Sequence, residues 1–346
     1  MTPQPGLIPS AAASAQGVPM QSLRRQINDV GFVGQSLISI NDLTDDQLYG
    51  LFGVSRQLEL FNRDQVSLLP GRMAALLFFQ PSTRTRMSFQ TAMQRLGGMV
   101  ISEANPEVTS SAAKEESLPD MMRCVSQYAN VIVLRHYDDV AAREAAGYSD
   151  APIINGGWGH WEHPTQALLD LYTLWRKFGR IEGLKVTIAA ADLIEARTGH
   201  SMAYGLARLG AKVTLASPRA KKVPAEVTDA IKNEFHCAVD EVFDCDKGSF
   251  NELIADQDLV YLPGCSAPKG ATAEAFKKVM DDYFVMHETL DAARSDGRMI
   301  YVTHTLPRRA GEMDLAIDDT PNQLAFEAIL HSVSLRMGLL AIILGA

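Results

Sequence analysis

The stretch Leu76-Leu77-Phe78-Phe79-Gln80-Pro81-Ser82-Thr83-Arg84-Thr85-Arg86-Met87-Ser88-Phe89 constrains the fold of this chain more than any other. Met73 to Phe79 is short and almost wholly apolar, bounded by Gly71-Arg72 and Pro81, the pattern of a strand buried on both faces of a parallel sheet. Beyond it the period turns helical, with Phe89, Met93 and Leu96 at i, i+4 and i+7. A strand therefore runs directly into a helix N-terminus. Ser82, Thr83, Arg84 and Thr85 bring hydroxyls, a guanidinium and free backbone N–H groups to the positive end of that helix, which describes a phosphate site. Ser82 or Thr83 by itself would be an ordinary N-cap. Arg84 and Arg86 tilt the reading, because an arginine in the first turn opposes the helix dipole unless an anion or a carboxylate compensates it.

A chain of 346 residues exceeds what one core usually supports, so two domains of roughly 150 residues are expected. With 47% apolar and 21% charged residues a sizeable core is available. The net charge of −9 argues against nucleic-acid and membrane-surface partners, which need a basic face, while leaving room for a local basic pocket. Cys124, Cys237, Cys245 and Cys265 show no metal-ligand or disulfide spacing, so no metal is expected and a cytoplasmic location suits the chain. Residues 1–34 read as a disordered or extended arm: the part before Met20 is rich in Ala, Pro, Ser and Gly and lacks the basic start and apolar core of a secretory signal. No apolar run, Met337 to Ala346 included, is expected to reach the length of a membrane span.

Along the chain, Leu43 to Asn62 suits an amphipathic helix starting near Asn41 or Thr44. Gly98 to Ser102 reads as a strand, and Glu103 to Glu116, with Ser110 and Lys114, as a mobile surface loop. The strand at Val131 to Leu134 ends in Arg135-His136, where open α/β sheets receive ligands, although Arg135 could instead pair with Asp138 or Asp139. Ile153-Ile154 leads through Asn155-Gly156-Gly157 to His160-Trp161-Glu162-His163-Pro164-Thr165-Gln166 and a long helix. Pro164 fits its first turn and His163 its cap, where the dipole disfavours the imidazolium; capping alone would also account for that histidine. A second alternation starts near Arg180, with strands at Val186 to Ala191 and Val213 to Ser217. Ala191-Asp192-Leu193 stands in place of G-x-G-x-x-G, so no dinucleotide cofactor is expected. Arg197 follows, facing a cleft or paired with Glu195. Strands at Leu259 to Leu262 and Met299 to Val302 end in Pro263-Gly264-Cys265-Ser266 and Thr303-His304-Thr305-Leu306-Pro307-Arg308, and a long helix covers Asn322 to Leu344. The expected fold is α/β, two doubly wound parallel-sheet domains of the Rossmann-like kind at 35–178 and 179–321, with the last helix, 322–346, crossing back to complete the first and the active site in the cleft between them.

Ser82-Thr83-Arg84-Thr85, Arg135-His136, His163-Pro164-Thr165-Gln166 and His304-Thr305-Leu306-Pro307-Arg308, in this order, resemble the aspartate and ornithine carbamoyltransferase family from about Leu37 to the end. The last motif is nearer to the aspartate branch. Resemblance implies that Ser82, Thr83, Arg84 and Thr85 hold the phosphate of carbamoyl phosphate, that Arg135, Thr85 and His163 surround its carbonyl oxygen, and that Gln166 and the Leu306 carbonyl hold its NH₂. It also implies that Ser110 and Lys114 reach a neighbouring subunit's site in a homotrimer, and that Arg197 grips a carboxylate of a small amino-acid acceptor. Lys114, Leu306, Ser266 and Lys269 are the other acceptor candidates. No cofactor is implied. Three departures stand out: Gln80 replaces a glutamate associated with domain closure, Thr305 replaces a proline, and Gly264-Cys265-Ser266 replaces the Arg-x-Gln that holds aspartate's second carboxylate. The resemblance implies carbamoyl transfer to L-aspartate in pyrimidine biosynthesis; the departures leave open transfer to another small amine, or an inactive carbamoyl-phosphate-binding homologue.

Overall fold

The computed structural model describes residues 19–264, 272–295, 297–309 and 311–346. Helices α1 (Met20–Asp29) and α2 (Asp45–Leu58) lead into the first sheet, formed by β1 (Met73–Phe78), β2 (Met99–Ala104), β3 (Val131–His136) and β4 (Ile153–Trp158). Helix α3 (Thr83–Arg95) joins β1 to β2, α4 (Pro106–Thr109) and α5 (Leu118–Val125) join β2 to β3, and α6 (Asp139–Ala146) joins β3 to β4. Helix α7 (Pro164–Phe178) then crosses to the second sheet, formed by β5 (Lys185–Ala189), β6 (Lys212–Ser217), β7 (Val239–Phe243), β8 (Leu259–Leu262) and β9 (Tyr301–His304). Its connections are α8 (Arg197–Arg208), α9 (Ala225–Asn233), α10 (Lys247–Ala255), α11 (Ala273–Asp282) and α12 (His287–Ser295), and α13 (Ala325–Leu344) closes the chain.

All ladders are parallel, in the orders β2-β1-β3-β4 and β7-β6-β5-β8-β9. This is the two-domain α/β fold that the alternating pattern predicts. The order reverses between β1 and β3 in one sheet and between β5 and β8 in the other. Ligands bind at the carboxyl ends of strands at such reversals, because the flanking connections leave in opposite directions and open a crevice. The outer edge of β4 is not left bare: Leu37 N–H donates to the Ile153 carbonyl at 2.8 Å, and Asn155 N–H donates to the Leu37 carbonyl at 2.8 Å.

Three expectations need correction and two elements had no reading in the sequence; the loop expected at Glu103 to Glu116 holds the end of β2, α4 and a 3₁₀ turn at Ser111–Lys114. Residues 20–29 are not an arm but helix α1, whose Leu23 and Ile27, one turn apart, lie fully buried in the main core. Burying each stabilises by roughly 1.5–3 kcal/mol, and this anchor hides in a polar decapeptide next to a Pro-rich stretch. Strand β7, Val-Asp-Glu-Val-Phe, carries no continuous apolar run because it lies at an edge and is partly exposed. Helix α12 also went unforeseen. Finally, α13 has the length and apolarity of a membrane span, yet 72% of its most apolar window is buried in the fold, packed against α2, α3 and α7.

Candidate active site

The two reversals open onto one cleft of ≈ 570 Å³. From the first sheet, the N-terminus of α3 supplies Ser82, Thr83, Arg84 and Thr85. Ser82 occupies the N-cap position but makes no cap hydrogen bond, so the plain capping role does not account for it and the first backbone N–H groups of α3 remain open. Arg84 lines the cleft, whereas Arg86 turns away and donates to the Ser102 hydroxyl on β2 at 3.3 Å.

Arg135, at the end of β3, lines the cleft and donates from Nη1 to the Gly156 carbonyl at 3.0 Å. Neither suggested carboxylate takes it. Asp138 caps α6 by accepting from Ala141 N–H at 3.0 Å, and Asp139 pairs with Arg143 at 2.9 Å. The buried Nε of Arg135 has no hydrogen-bond partner. Burial, with Arg197 and Arg84 nearby, depresses its pKa to about 9, and burial holds Arg197 at about 10. Such crowding of cations is unfavourable until an anion enters.

His163 caps α7 by position, 3.5 Å from Arg135 Nη1. Its own N–H donates to the Ser201 hydroxyl on α8 at 3.0 Å. Burial and the charges of Arg135, Arg197 and Arg336 hold its pKa well below the ordinary histidine value, so the ring is neutral and can donate only one hydrogen bond. Gly157, at φ +110°, makes the cluster possible: a Cβ there would sit 2.8 Å from Arg135 Nη1, 3.1 Å from His163 Cδ2 and 3.4 Å from Arg197 Cζ. The family resemblance implies that these side chains meet; that they do so over Gly157 had no signal in the sequence beyond its Gly-Gly turn.

The far wall comes from the second sheet. Arg197, in the first turn of α8, donates to the Gly159 carbonyl at 2.6 Å and to Gln80 Oε1 at 3.1 Å. It does not pair with Glu195, which lines the cleft separately. Gln80 therefore bridges the two sheets as an amide acceptor at the position where closure was in question. Leu306, held at φ +53°, Thr305 and Gly264 also line the cleft. His304 does not: its Nδ1 accepts the Leu306 N–H at 2.8 Å while Nε2 meets Glu312 at 2.9 Å, which shapes the loop rather than binding a ligand. Arg308 is engaged with Asp318 at 2.7 Å, and Arg309, unremarked in the sequence, lines the cleft instead.

Gln166 lines the cleft from the first turns of α7. Ser110 and Lys114 do not line it. Ser110 starts a short 3₁₀ turn, accepting from Ala112 N–H, and Lys114 ends it. Ser266 and Lys269 lie outside the described residues.

A cluster of arginines over an uncapped helix N-terminus, between two parallel-sheet domains, defines an enzyme that handles a small phosphorylated compound. Residues 35–176 match the carbamoyl-P binding domain of the aspartate/ornithine carbamoyltransferases and residues 182–343 match their Asp/Orn binding domain, so the chain belongs to that family and is a carbamoyltransferase. It is 64% identical over 328 residues to a ureidoglycine carbamoyltransferase of Rubrobacter xylanophilus, covering 94% of this chain and 97% of that one. Against the aspartate carbamoyltransferase catalytic subunit of Methanopyrus kandleri the identity is 39%, over 91% and 98% of the two chains. Among solved structures, aspartate transcarbamoylase from Trypanosoma cruzi with aspartate and phosphate matches at a TM-score of 0.80 with 29% identity, covering 91% of this chain and 97% of that one. The catalytic subunit of M. jannaschii aspartate transcarbamoylase matches at 0.76 with 36% identity, covering 89% and 97%.

Proposed function

We propose that this carbamoyltransferase moves the carbamoyl group between carbamoyl phosphate and the amino group of ureidoglycine, and that aspartate is not its acceptor. The observation that carries the reaction is the convergence of Arg84, Arg135 and His163 at the open end of α3. In this reading Ser82, Thr83, Arg84 and Thr85 hold the phosphate. Arg135, Thr85 and neutral His163 donate to the carbonyl oxygen, which gains charge as the amine attacks; each preorganised donor of this kind is worth about 3–4 kcal/mol in the transition state. Gln166 and the Leu306 carbonyl accept from the carbamoyl NH₂. As the new N–C bond forms, the C–O bond to phosphate breaks and the departing phosphate takes the amine proton.

The acceptor assignment rests on the 64% identity with a ureidoglycine carbamoyltransferase, and the cleft supports it. Ureidoglycine carries one carboxylate, one amine and one ureido arm on the same carbon. Arg197 suits the carboxylate. Where the aspartate branch has an arginine, Gly264 stands at φ +72°, a conformation in which a side chain is strained. Glu195 lines the same cleft and would repel a second carboxylate while accepting ureido N–H groups. Aspartate remains the second reading because Arg309 also lines the cleft. Phosphate release from carbamoyl phosphate with a panel of amines decides between them: turnover with ureidoglycine and none with aspartate is expected, and the reverse result removes the assignment.

We also propose a homotrimer in which Ser110 and Lys114 complete a neighbour's site. Both lie outside their own cleft, and the edge strand and helix beside them expose Met99, Ile101 and Val108. Mixing Arg84→Ala and Lys114→Ala subunits, each inactive alone, should restore activity in hybrids that carry intact shared sites; hybrids without activity would remove the shared-site reading.

A further inference from the structure

The amide of Gln166 can present either its oxygen or its NH₂ to the cleft, and only the oxygen can accept from a carbamoyl NH₂. Its orientation is set by a residue that does not line the cleft. Asp170, one turn along α7 and 3% exposed, accepts from Gln166 Nε2 at 3.0 Å through Oδ1 and at 3.2 Å through Oδ2. It also accepts from the Tyr261 hydroxyl, carried on β8 of the second sheet, at 2.7 Å. An ionised carboxylate only accepts, so it holds the NH₂ of Gln166 against itself and turns the amide oxygen away.

We propose that Asp170 is a positioning residue for carbamoyl transfer: its carboxylate fixes the Gln166 amide with the oxygen toward the carbamoyl NH₂, and Tyr261 ties that orientation to the docked second domain. The assignment rests on the proposed role of Gln166. Protonation would reverse the arrangement, because a neutral Asp170 can donate to Gln166 and invite the flipped amide, which would set two NH₂ groups against each other. Burial raises the Asp170 carboxyl to about 7, opposed by the bonds from Tyr261 and Gln166 and by the Arg336 charge on α13. Tyr261 from β8 and Arg336 from α13 are the titratable groups that act on it, and Thr198 of α8 lies next to Tyr261.

The test uses the full chain with carbamoyl phosphate and its acceptor. Asp170→Asn should raise KM for carbamoyl phosphate about tenfold, the effect of one well-made hydrogen bond lost. It should leave the affinity for inorganic phosphate within a factor of two, since the phosphate donors do not touch it. The acidic limb of kcat/KM near pH 7 should vanish in that variant. Tyr261→Phe, which removes a bond favouring the carboxylate, should move the limb to higher pH. The pair Gln166→Glu with Asp170→Asn exchanges carboxylate and amide while still facing an oxygen to the cleft, and should recover about tenfold in kcat/KM over either single variant. A merely structural Asp170 predicts lowered thermal stability without these shifts. Wild-type turnover together with an unchanged KM and pH profile in Asp170→Asn and Tyr261→Phe overturns the inference while sparing the transferase reading; absence of wild-type turnover with every acceptor overturns both.

Discussion

Gly157 shows how much of the site depends on an atom that is not there. Arg135, His163 and Arg197 come from β3, the start of α7 and the start of α8, and they meet over this one residue. Its φ of +110° is open to glycine, and the space above it is already taken by a guanidinium and an imidazole. Gly157→Ala should therefore destabilise the fold by more than ~1 kcal/mol and displace Arg135 or His163, lowering kcat/KM at least tenfold. Urea unfolding and steady-state kinetics check the two effects separately. The contiguous Ser82 to Thr85 run was legible because its chemistry sits within one helical turn. Position alone left Arg135 and Arg197 between ligand and a surface carboxylate, because Asp138, Asp139 and Glu195 were nearer in sequence than the groups that actually surround them; only the family resemblance turned both toward ligand.

At the scale of elements, the start of α7 is fastened to the second sheet by Glu162. This carboxyl, 2% exposed, accepts from the Ser39 hydroxyl at 2.6 Å, Ile40 N–H at 3.2 Å and the Ser201 hydroxyl on α8 at 2.8 Å. Ser201 in turn accepts the backbone N–H of His163, so the carboxyl fixes the cap of the helix that carries His163 and Gln166. Glu162→Ala would leave three donors, those of Ile40 and Ser201 buried and that of Ser39 half-buried, without their acceptor and should cost about 3 kcal/mol or more, with kcat reduced as His163 loosens; Glu162→Gln keeps an acceptor and should cost less. Chemical denaturation of both variants tests this, and equal stability of Glu162→Ala and wild type would remove the clasp. Strand β1 and helix α2 were readable ahead of the structure, the first from its unbroken apolar run and the second from its amphipathic spacing; of the two starts offered, Asn41 and Thr44, the structure takes Thr44, whose hydroxyl and Gln47 form the capping box. Edge strand β7 and helix α12 offered no such signal.

For the whole molecule, the same burial that builds the cleft makes stability depend on pH. Asp170 and Glu162 each have a carboxyl raised to about 7 by burial, against an ordinary value near ~4 in the unfolded chain. Between those limits the folded chain holds protons that the unfolded chain has lost, so stability falls as pH rises from about 4 to 7 and levels off above 7 as far as these groups are concerned. Buried neutral His163 contributes in the opposite direction, so the test is the difference between chains: between pH 5.5 and 8 urea midpoints should show the wild type losing stability relative to Asp170→Asn combined with Glu162→Gln, and identical slopes would contradict the assignment. The acidic chain also encloses four arginines in one cleft, Arg84, Arg135, Arg197 and Arg309, so its net charge of −9 says nothing against an anionic substrate.

The sequence by itself determined the alternation of strands and helices, the helix start suited to phosphate and the family of the chain, because each of these is written in residues close together: an apolar run, a turn of hydroxyls and arginine, a four-residue motif. The tertiary structure alone decided where the polar groups outside those motifs, and some within them, turn. Arg86, His304 and Arg308 turn away to partners of their own, Arg309 and Glu195 line the cleft, and Asp170 and Glu162 reach across from one sheet to the other. Side-chain direction and long-range pairing depend on how two domains pack, and the nearest partner in space is seldom the nearest in sequence.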